Sequence, residues 1–193
     1  MTVVYFVRHA ESDKSRGDER TRGLSARGIR DRELVTRYLA DKQIHAAFSS
    51  PYRRVIETIA DFTDRFRLTV QTEDDLREWV RCADPTVDFP EFCRRHLTDF
   101  DYRYADGESL RRVQDRNIAA LETILETCEG QNVIIGTHGM ALSTVISYYD
   151  PDFGYDAFEE LLPRMPLIVR MVFDGKRCAE METIGIEQMR EGR

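Results

Sequence analysis

The fold of this chain is constrained most by short apolar runs that alternate with segments of helical spacing. The four clearest runs are residues 3–7, 46–48, 68–70 and 132–136. Short apolar runs that carry β-branched and aromatic residues predict buried strands, and the uninterrupted run at 132–136 is typical of a parallel sheet. Strands that alternate with helices predict an α/β fold, with a mainly parallel central sheet flanked by helices in three layers, α/β/α.

The remaining pattern predicts four helices, two further strands and a tail. The expected helices begin at Ser25, at Ser50-Pro51, at Ser109 and at Gly139, and the expected closing strands are residues 167–173 and 178–184. Serine is favoured at helix N-caps and proline in the first turn, which supports the first two starts. The last residues, 187–193, are expected to form a frayed, solvated tail.

The segment at about 79–106 lacks a clear period, because Pro85 and Pro90 interrupt it and charged and aromatic residues are mixed. We interpret it as an irregular excursion over the sheet edge that covers a substrate. On this interpretation, residues 1–193 form a single domain, which is usual for a chain of 193 residues.

Charge and cysteine usage exclude several classes of function. The net charge of −7 argues against bulk binding to nucleic acid or to anionic membranes. No apolar stretch approaches the roughly 20 residues of a membrane helix. The four cysteines form no CxxC pair, which favours a reduced, cytoplasmic compartment. Cys82, Cys93 and His96 match no standard zinc spacing.

Two of the predicted strands end in a histidine, His9 after the first and His138 after the fourth. Ligands of parallel sheets bind beyond the carboxyl ends of the strands, so both histidines are expected in one crevice. The helix start at Ser50 belongs to the same edge, with Arg54 one turn further on, and Arg8 precedes the first histidine. Guanidinium groups match phosphate oxygens, and a neutral imidazole can attack phosphorus.

Six motifs follow one another along the chain. They are Arg8-His9-Ala10-Glu11, Leu24-Ser25-Ala26-Arg27-Gly28, Ser50-Pro51-Tyr52-Arg53-Arg54-Val55, Leu76-Arg77-Glu78, Gly107-Glu108-Ser109 and Thr137-His138-Gly139. The set resembles the histidine phosphatase superfamily, which includes cofactor-dependent phosphoglycerate mutases and many small-molecule phosphatases. The chain departs from the family pattern at Ala10, where glycine is common, and after Glu78, where the usual aromatic-Gly stretch is missing.

The resemblance implies that His9 is the nucleophile and Glu78 the general acid and base. The expected catalytic set is His9, Glu78, His138, Arg8 and Arg54. The expected substrate-binding set is Arg8, Arg54, Ser15, His138 and Gly139, in which Ser15 stands where the family often has a phosphate-binding Asn. No metal and no cofactor are implied, because arginine and histidine supply the positive charge.

Some acidic residues near these motifs have a structural interpretation. Glu73, Asp74 and Asp75 form a cluster with Glu78, and such a cluster is usually a solvated loop. Glu11 and Glu108 are expected to orient other groups, while Gly107 and Ser109 are expected to form the turn and cap of a long helix.

The resemblance favours a metal-independent phosphatase, a phosphoric monoester hydrolase that acts through phosphohistidine. Its expected ligands are a small phosphorylated metabolite and inorganic phosphate. The first alternative is a phosphoglycerate-type mutase, although the short segment after Glu78 favours hydrolysis. The others are a phosphatase of phosphorylated protein and a non-catalytic binder, and the intact His9 and Glu78 argue against the binder. The sequence leaves the substrate and the oligomeric state open.

Overall fold

A computed structural model describes residues 1–15, 17–82, 86 and 88–191, and it contains one six-stranded sheet. The strands are β1 (Thr2–Arg8), β2 (Ile44–Ser49), β3 (Val70–Thr72), β4 (Asn132–Thr137), β5 (Leu167–Asp174) and β6 (Arg177–Ile184). Their order is β3-β2-β4-β1-β5-β6. Strands β1 to β4 pair in parallel, whereas β5 is antiparallel to both β1 and β6. The strand expected at 68–70 is shifted, since β3 shares only Val70 with it. The expected α/β class with a mainly parallel sheet is confirmed.

Helices cover both faces of the sheet. They are α1 (Ala26–Leu39), α2 (Arg53–Phe66), α3 (Phe89–Thr98), α4 (Leu110–Thr127), α5 (Gly139–Tyr149), α6 (Tyr155–Leu161) and α7 (Ile186–Glu191). Because side chains alternate along a strand, Val4 and Phe6 of β1 pack towards α4 and α5, while Tyr5 and Val7 pack towards α1 and α2. The three-layer arrangement follows from this alternation.

Two of the predicted caps are confirmed, and one helix start is not. The Ser25 side chain accepts a hydrogen bond from the Gly28 N–H, and Ser109 accepts one from Arg112. Helix α2 begins at Arg53, later than expected, because Ser50 still continues the sheet: its N–H donates to Gly136 O over 3.0 Å. The Ser50 hydroxyl is consequently used in the site described below.

The expectation of irregular structure at 79–106 is wrong for α3, which lies inside that segment. Trp79 and Phe92 stack with ring centroids 5.3 Å apart, in a third apolar cluster that also includes Leu110 of α4 and Phe158 of α6. The buried residues of α3 do have helical spacing, since Phe92, Cys93, His96 and Leu97 lie on one face, and this face packs on the distant partners. Residues 83–85 and 87, which include Pro85, lie outside the described part of the chain.

The expected tail is also wrong for the residues that the structure describes, because Ile186–Glu191 form α7. Met189 is buried and packs with Ile186 in the apolar cluster between α1 and the sheet. Residues 192–193 lie outside the described ranges. None of the described helices is both long enough and apolar enough to cross a membrane.

Candidate functional site

The carboxyl ends of β1 and β4 bring the two histidines together. In the parallel register Arg8 is opposite Thr137, so the next residue of each strand lies at the same edge. The His9 N–H donates to Thr137 O over 3.1 Å, and the rings of His9 and His138 are 5.5 Å apart in an edge-on arrangement. The crevice predicted from the strand ends therefore exists in the structure.

Arg54, in the first turn of α2, bridges the two imidazoles. Its Nε donates to His9 Nε2 and its Nη2 reaches His138 Nδ1, both over 3.1 Å. The side chain is only 1% exposed, and its guanidinium lies 5.1 Å from the Tyr52 ring centroid. A planar fork can hold both rings at once, which a lysine ammonium could not do with the same geometry.

The arginine fixes the tautomers of both rings, because a guanidinium only donates hydrogen bonds. His9 Nε2 must accept from Arg54, so the ring proton is on Nδ1, which donates to Ala10 O over 2.7 Å. His138 has the opposite tautomer: Nδ1 accepts from Arg54, and Nε2–H donates to the Ser50 hydroxyl over 2.7 Å. His9 thus has a lone pair on Nε2, directed at the arginine.

Both imidazoles are held neutral by their surroundings. Burial lowers the pKa of His9 well below its ordinary value, and Arg54 lowers it further. Burial and Arg54 also lower the pKa of His138 well below its ordinary value. At neutral pH, His9 is therefore in the unprotonated form that a nucleophile requires.

Arg8 lies beside this pair but is anchored elsewhere. Its Nη1 donates to Leu161 O over 2.7 Å, and its Nη2 donates to Leu162 O over 3.1 Å, at the carboxyl end of α6. Gly139 allows this packing, because a Cβ there would lie 3.2 Å from Arg8 Nη2. The buried Nε has no partner among the described residues and is available to an oxyanion. Burial lowers the pKa of Arg8 to about 10, although Glu78 opposes the shift.

Glu78 is held at the amino end of α5, the helix for which His138 is the N-cap. Its carboxylate accepts hydrogen bonds from Ala141 N over 3.0 Å, Met140 N over 3.3 Å and Trp79 N over 2.9 Å. The other members of the acidic cluster, Glu73, Asp74 and Asp75, are exposed. The structure therefore brings Glu78 to the histidine crevice and leaves its acidic neighbours in solvent.

A buried ion pair supports the backbone that carries Glu78. Arg116 of α4 donates to Glu108 over 3.1 Å, to Arg77 O over 2.7 Å and to Glu78 O over 3.2 Å. Glu108 also accepts from Val80 N over 3.0 Å. Burial alone would raise the pKa of Glu108, but these donors outweigh it and the pKa is lowered. Glu108 therefore acts as an orienting residue, as the sequence predicted.

Ser15 lies outside the cluster. Its side chain is exposed, and both its N–H and its hydroxyl donate to Asp13 Oδ1, over 3.0 and 2.6 Å. Within the described ranges, no three His, Cys, Asp or Glu side chains are grouped as a metal site. His96, considered above as a ligand, packs in an aromatic cluster with Trp79 and Phe92.

Two residues of the site carried little signal in the sequence. The sequence pattern predicts a helix start at Ser50, and only the later start of α2 frees the Ser50 hydroxyl for His138. Arg116 has a weak signal, since it is a charged residue three positions after Val113 on the buried face of α4.

Comparisons with known proteins agree with this geometry. Residues 4–181 match the model of the histidine phosphatase superfamily, branch 1. A probable phosphoglycerate mutase, GpmB of Yersinia pestis, is 30% identical over 160 residues, which are 76% of this chain and 74% of that protein.

Solved structures with little sequence identity have the same fold. YhfR of Bacillus stearothermophilus superimposes with a TM-score of 0.75 at 21% identity, covering 92% of this chain and 94% of that one. A phosphoserine phosphatase of Entamoeba histolytica gives 0.73 at 15% identity, with 94% and 96% covered. A mycobacterial glucosyl-3-phosphoglycerate phosphatase gives 0.72 at 17% identity, with 94% and 95% covered.

Proposed function

Because the chain belongs to the histidine phosphatase superfamily, we propose that it hydrolyses a small phosphorylated metabolite through a phosphohistidine at His9. The observation that carries this proposal is the contact between Arg54 Nε and His9 Nε2. It sets the tautomer of a buried, neutral imidazole and puts a guanidinium beside the nitrogen that attacks. Fixed positive charge next to the nucleophile is what a transferring phosphoryl group requires.

In the first step, the Arg54 Nε–H turns from His9 Nε2 to a phosphoryl oxygen, the freed lone pair of Nε2 attacks phosphorus, and the bond from phosphorus to the ester oxygen breaks. Glu78 gives a proton to the departing oxygen, so that an alcohol leaves rather than an alkoxide. Arg54, Arg8 Nε and His138 Nε2–H are the donors that stabilise the three equatorial oxygens, and Gly139 lets Arg8 approach.

In the second step, water attacks the phosphohistidine and the P–N bond breaks. Glu78, now ionised, accepts the proton of that water, and inorganic phosphate leaves with His9 again neutral. Dividing one difficult transfer into two easier ones is the advantage of a covalent intermediate.

A mutase is the second candidate, and the similarity to a protein named as a probable phosphoglycerate mutase favours it. In a mutase, the phosphohistidine returns its phosphoryl group to the substrate instead of to water. The short segment after Glu78, without the aromatic-Gly stretch, supports hydrolysis. Residues 79–106 would cover the substrate in either case.

Phosphate release and isomer formation, measured together, test the proposal. With 3-phosphoglycerate, phosphoserine and other phosphorylated metabolites, we expect free phosphate to appear faster than any isomer, and His9→Ala to give neither. Isomer formation that exceeds phosphate release by about tenfold, roughly 1.4 kcal/mol in barrier, would establish the mutase instead.

Exhaustive chelation is expected to leave the rate nearly unchanged, and a loss restored by Mg²⁺, Mn²⁺ or Zn²⁺ would contradict the mechanism.

The setting of this activity is part of the same proposal. We expect a single domain and a reduced, cytoplasmic compartment, and the four free thiols are consistent with that compartment. The partners are the small phosphorylated substrate and inorganic phosphate.

A further inference from the structure

Glu19, in the loop between β1 and α1, lies over the arginine that bridges the two histidines. Its Oε2 is 3.3 Å from Arg54 Nη2, and its backbone oxygen accepts from Arg54 Nη1 over 2.5 Å. Its other carboxylate oxygen, Oε1, is 2.5 Å from Arg22 Nη1. One carboxylate therefore joins two guanidinium groups at the candidate phosphoryl site.

These contacts engage all three nitrogens of Arg54. Nε is engaged by His9, Nη2 by His138 and Glu19, and Nη1 by the Glu19 carbonyl. A phosphoryl oxygen that binds Nη2 must compete with the Glu19 carboxylate. A phosphoryl oxygen that binds Arg22 Nη1 must also compete with the Glu19 carboxylate. The Nε of Arg22 is a buried donor with no partner among the described residues.

Positive charge is concentrated around His9, because Arg8, Arg22 and Arg54 all lie close enough to lower its pKa. The carboxylates of Glu19 and Glu78 balance part of this charge, and a phosphoryl dianion in place of Glu19 would balance more of it. The Glu19 side chain is 55% exposed, while that of Arg54 is 1% exposed. The carboxylate can therefore rotate into water at little cost, whereas the guanidinium cannot leave.

The backbone beside Glu19 is tied down, which restricts the movement to the side chain. Arg53 N donates to Arg20 O over 3.0 Å, and the Arg20 guanidinium pairs with Asp74. The loop can consequently stay in position while the carboxylate leaves Arg54.

We propose that Glu19 is an internal counter-anion, which the phosphoryl group of the substrate displaces from Arg54 and Arg22. Glu19 lowers the affinity of the site for phosphoryl oxyanions, and it helps to expel inorganic phosphate by pairing again with both arginines. This role rests on the proposed phosphatase function.

Glu19→Gln tests the role, with Glu33→Gln as the matched control. Glu33 is an exposed glutamate on α1 that pairs with Arg37 over 2.9 Å, so the control has the same chemical change and the same loss of charge. Calorimetric titration with inorganic phosphate should give a Kd about fivefold lower for Glu19→Gln than for the wild type, the size expected for one partly exposed ion pair. Glu33→Gln should match the wild type.

Kinetics supply a second readout that a merely structural role would not give. Glu19→Gln should be inhibited more strongly by inorganic phosphate, and its KM should fall. Glu19→Ala should bind phosphate more tightly too, which guards against an effect peculiar to glutamine.

The outcomes separate this role from the proposed function. Wild-type binding of phosphate together with an equal or weaker affinity in Glu19→Gln would overturn the counter-anion role and leave the phosphatase intact. A wild-type protein that neither binds phosphate nor forms a phosphoenzyme would overturn both.

Discussion

The ends of β1 and β4 present the same residue type in the same crevice, yet the two histidines are held differently. His138 is fixed at both ring nitrogens by side chains, Arg54 on one side and Ser50 on the other. His9 is fixed by a backbone carbonyl at Nδ1, and at Nε2 only by Arg54. Both are buried and both have lowered pKa values.

The difference assigns separate roles to two residues that the sequence pattern treats alike. His9 Nε2 has a lone pair, and the hydrogen bond from Nδ1 to Ala10 O orients the ring. This arrangement suits attack on phosphorus. His138 Nε2 carries a proton, which suits donation to a phosphoryl oxygen once Ser50 releases it.

Arg54→Lys should abolish the difference in how His9 and His138 are held, because an ammonium group cannot bridge both rings. We expect kcat/KM to fall by about 10² to 10³, the usual cost of losing one fixed donor at a developing oxyanion. Steady-state kinetics measure this, with thermal unfolding to show that the variant is folded. Arg53→Lys, at the exposed neighbouring position, is the control, and a similar loss there would contradict the role of Arg54.

Glu78→Gln tests the proposed role of Glu78 as the general acid that protonates the leaving group. Removing the proton donor should slow phosphoryl transfer from alkyl phosphates by about 10² in single turnovers, at the lower end of general acid catalysis. p-Nitrophenyl phosphate should be slowed much less, because its leaving group is already stable. If Asp75→Asn shows this dependence on the leaving group and Glu78→Gln does not, the wrong carboxylate has been assigned.

Ser50→Ala tests how His138 is held, since it removes the hydroxyl that is bonded to Nε2 and also accepts from Tyr52 N over 3.3 Å. One hydrogen bond is worth about 1 kcal/mol, so kcat/KM should change by roughly fivefold. Ser49→Ala is the matched control, because Ser49 is buried next door and donates to Ser50 O over 2.8 Å. Equal effects of the two variants on kcat/KM would mean that Ser50 acts only on packing.

Stability against pH is a property in which the two histidines should behave alike. Unfolded histidines bind a proton below about pH 6.5, whereas buried His9 and His138 do not, so the free energy of unfolding should fall as the pH drops below that value. Each contributes a slope of about 1.4 kcal/mol per pH unit. Denaturant titrations between pH 5 and 7 should give a smaller slope of unfolding free energy against pH in His9→Ala. The reduction should be the contribution of one histidine, about 1.4 kcal/mol per pH unit. An unchanged slope would mean that folded His9 takes up the proton.

The sheet and the pocket could be predicted because their signals are local. A run such as residues 3–7 predicts a buried strand, and the parallel arrangement then places the residue after each strand at one edge. The convergence of His9 and His138 follows from these two facts. The position of Arg54 could be predicted for the same reason, since Arg54 lies in the first turn of the helix after β2.

The packing of α3 and the anchoring of Arg8 could not be predicted, because their contacts join distant parts of the chain. Helix α3 depends on an apolar cluster shared with α4 and α6. Arg8 is anchored by carbonyls more than 150 residues further along the chain. A period search finds amphipathic faces, but it cannot find a polar partner that is remote in sequence.

The site of covalent phosphorylation tests the central claim most directly. Phosphoenzyme trapped in a single turnover should be stable in alkali and labile in acid. ³¹P-coupled NMR and peptide mapping should locate the phosphate on Nε2 of His9, the nitrogen that faces Arg54, and His9→Ala should give no label. Phosphate found on Nδ1 of His9, on His138 or on a carboxylate would contradict the account.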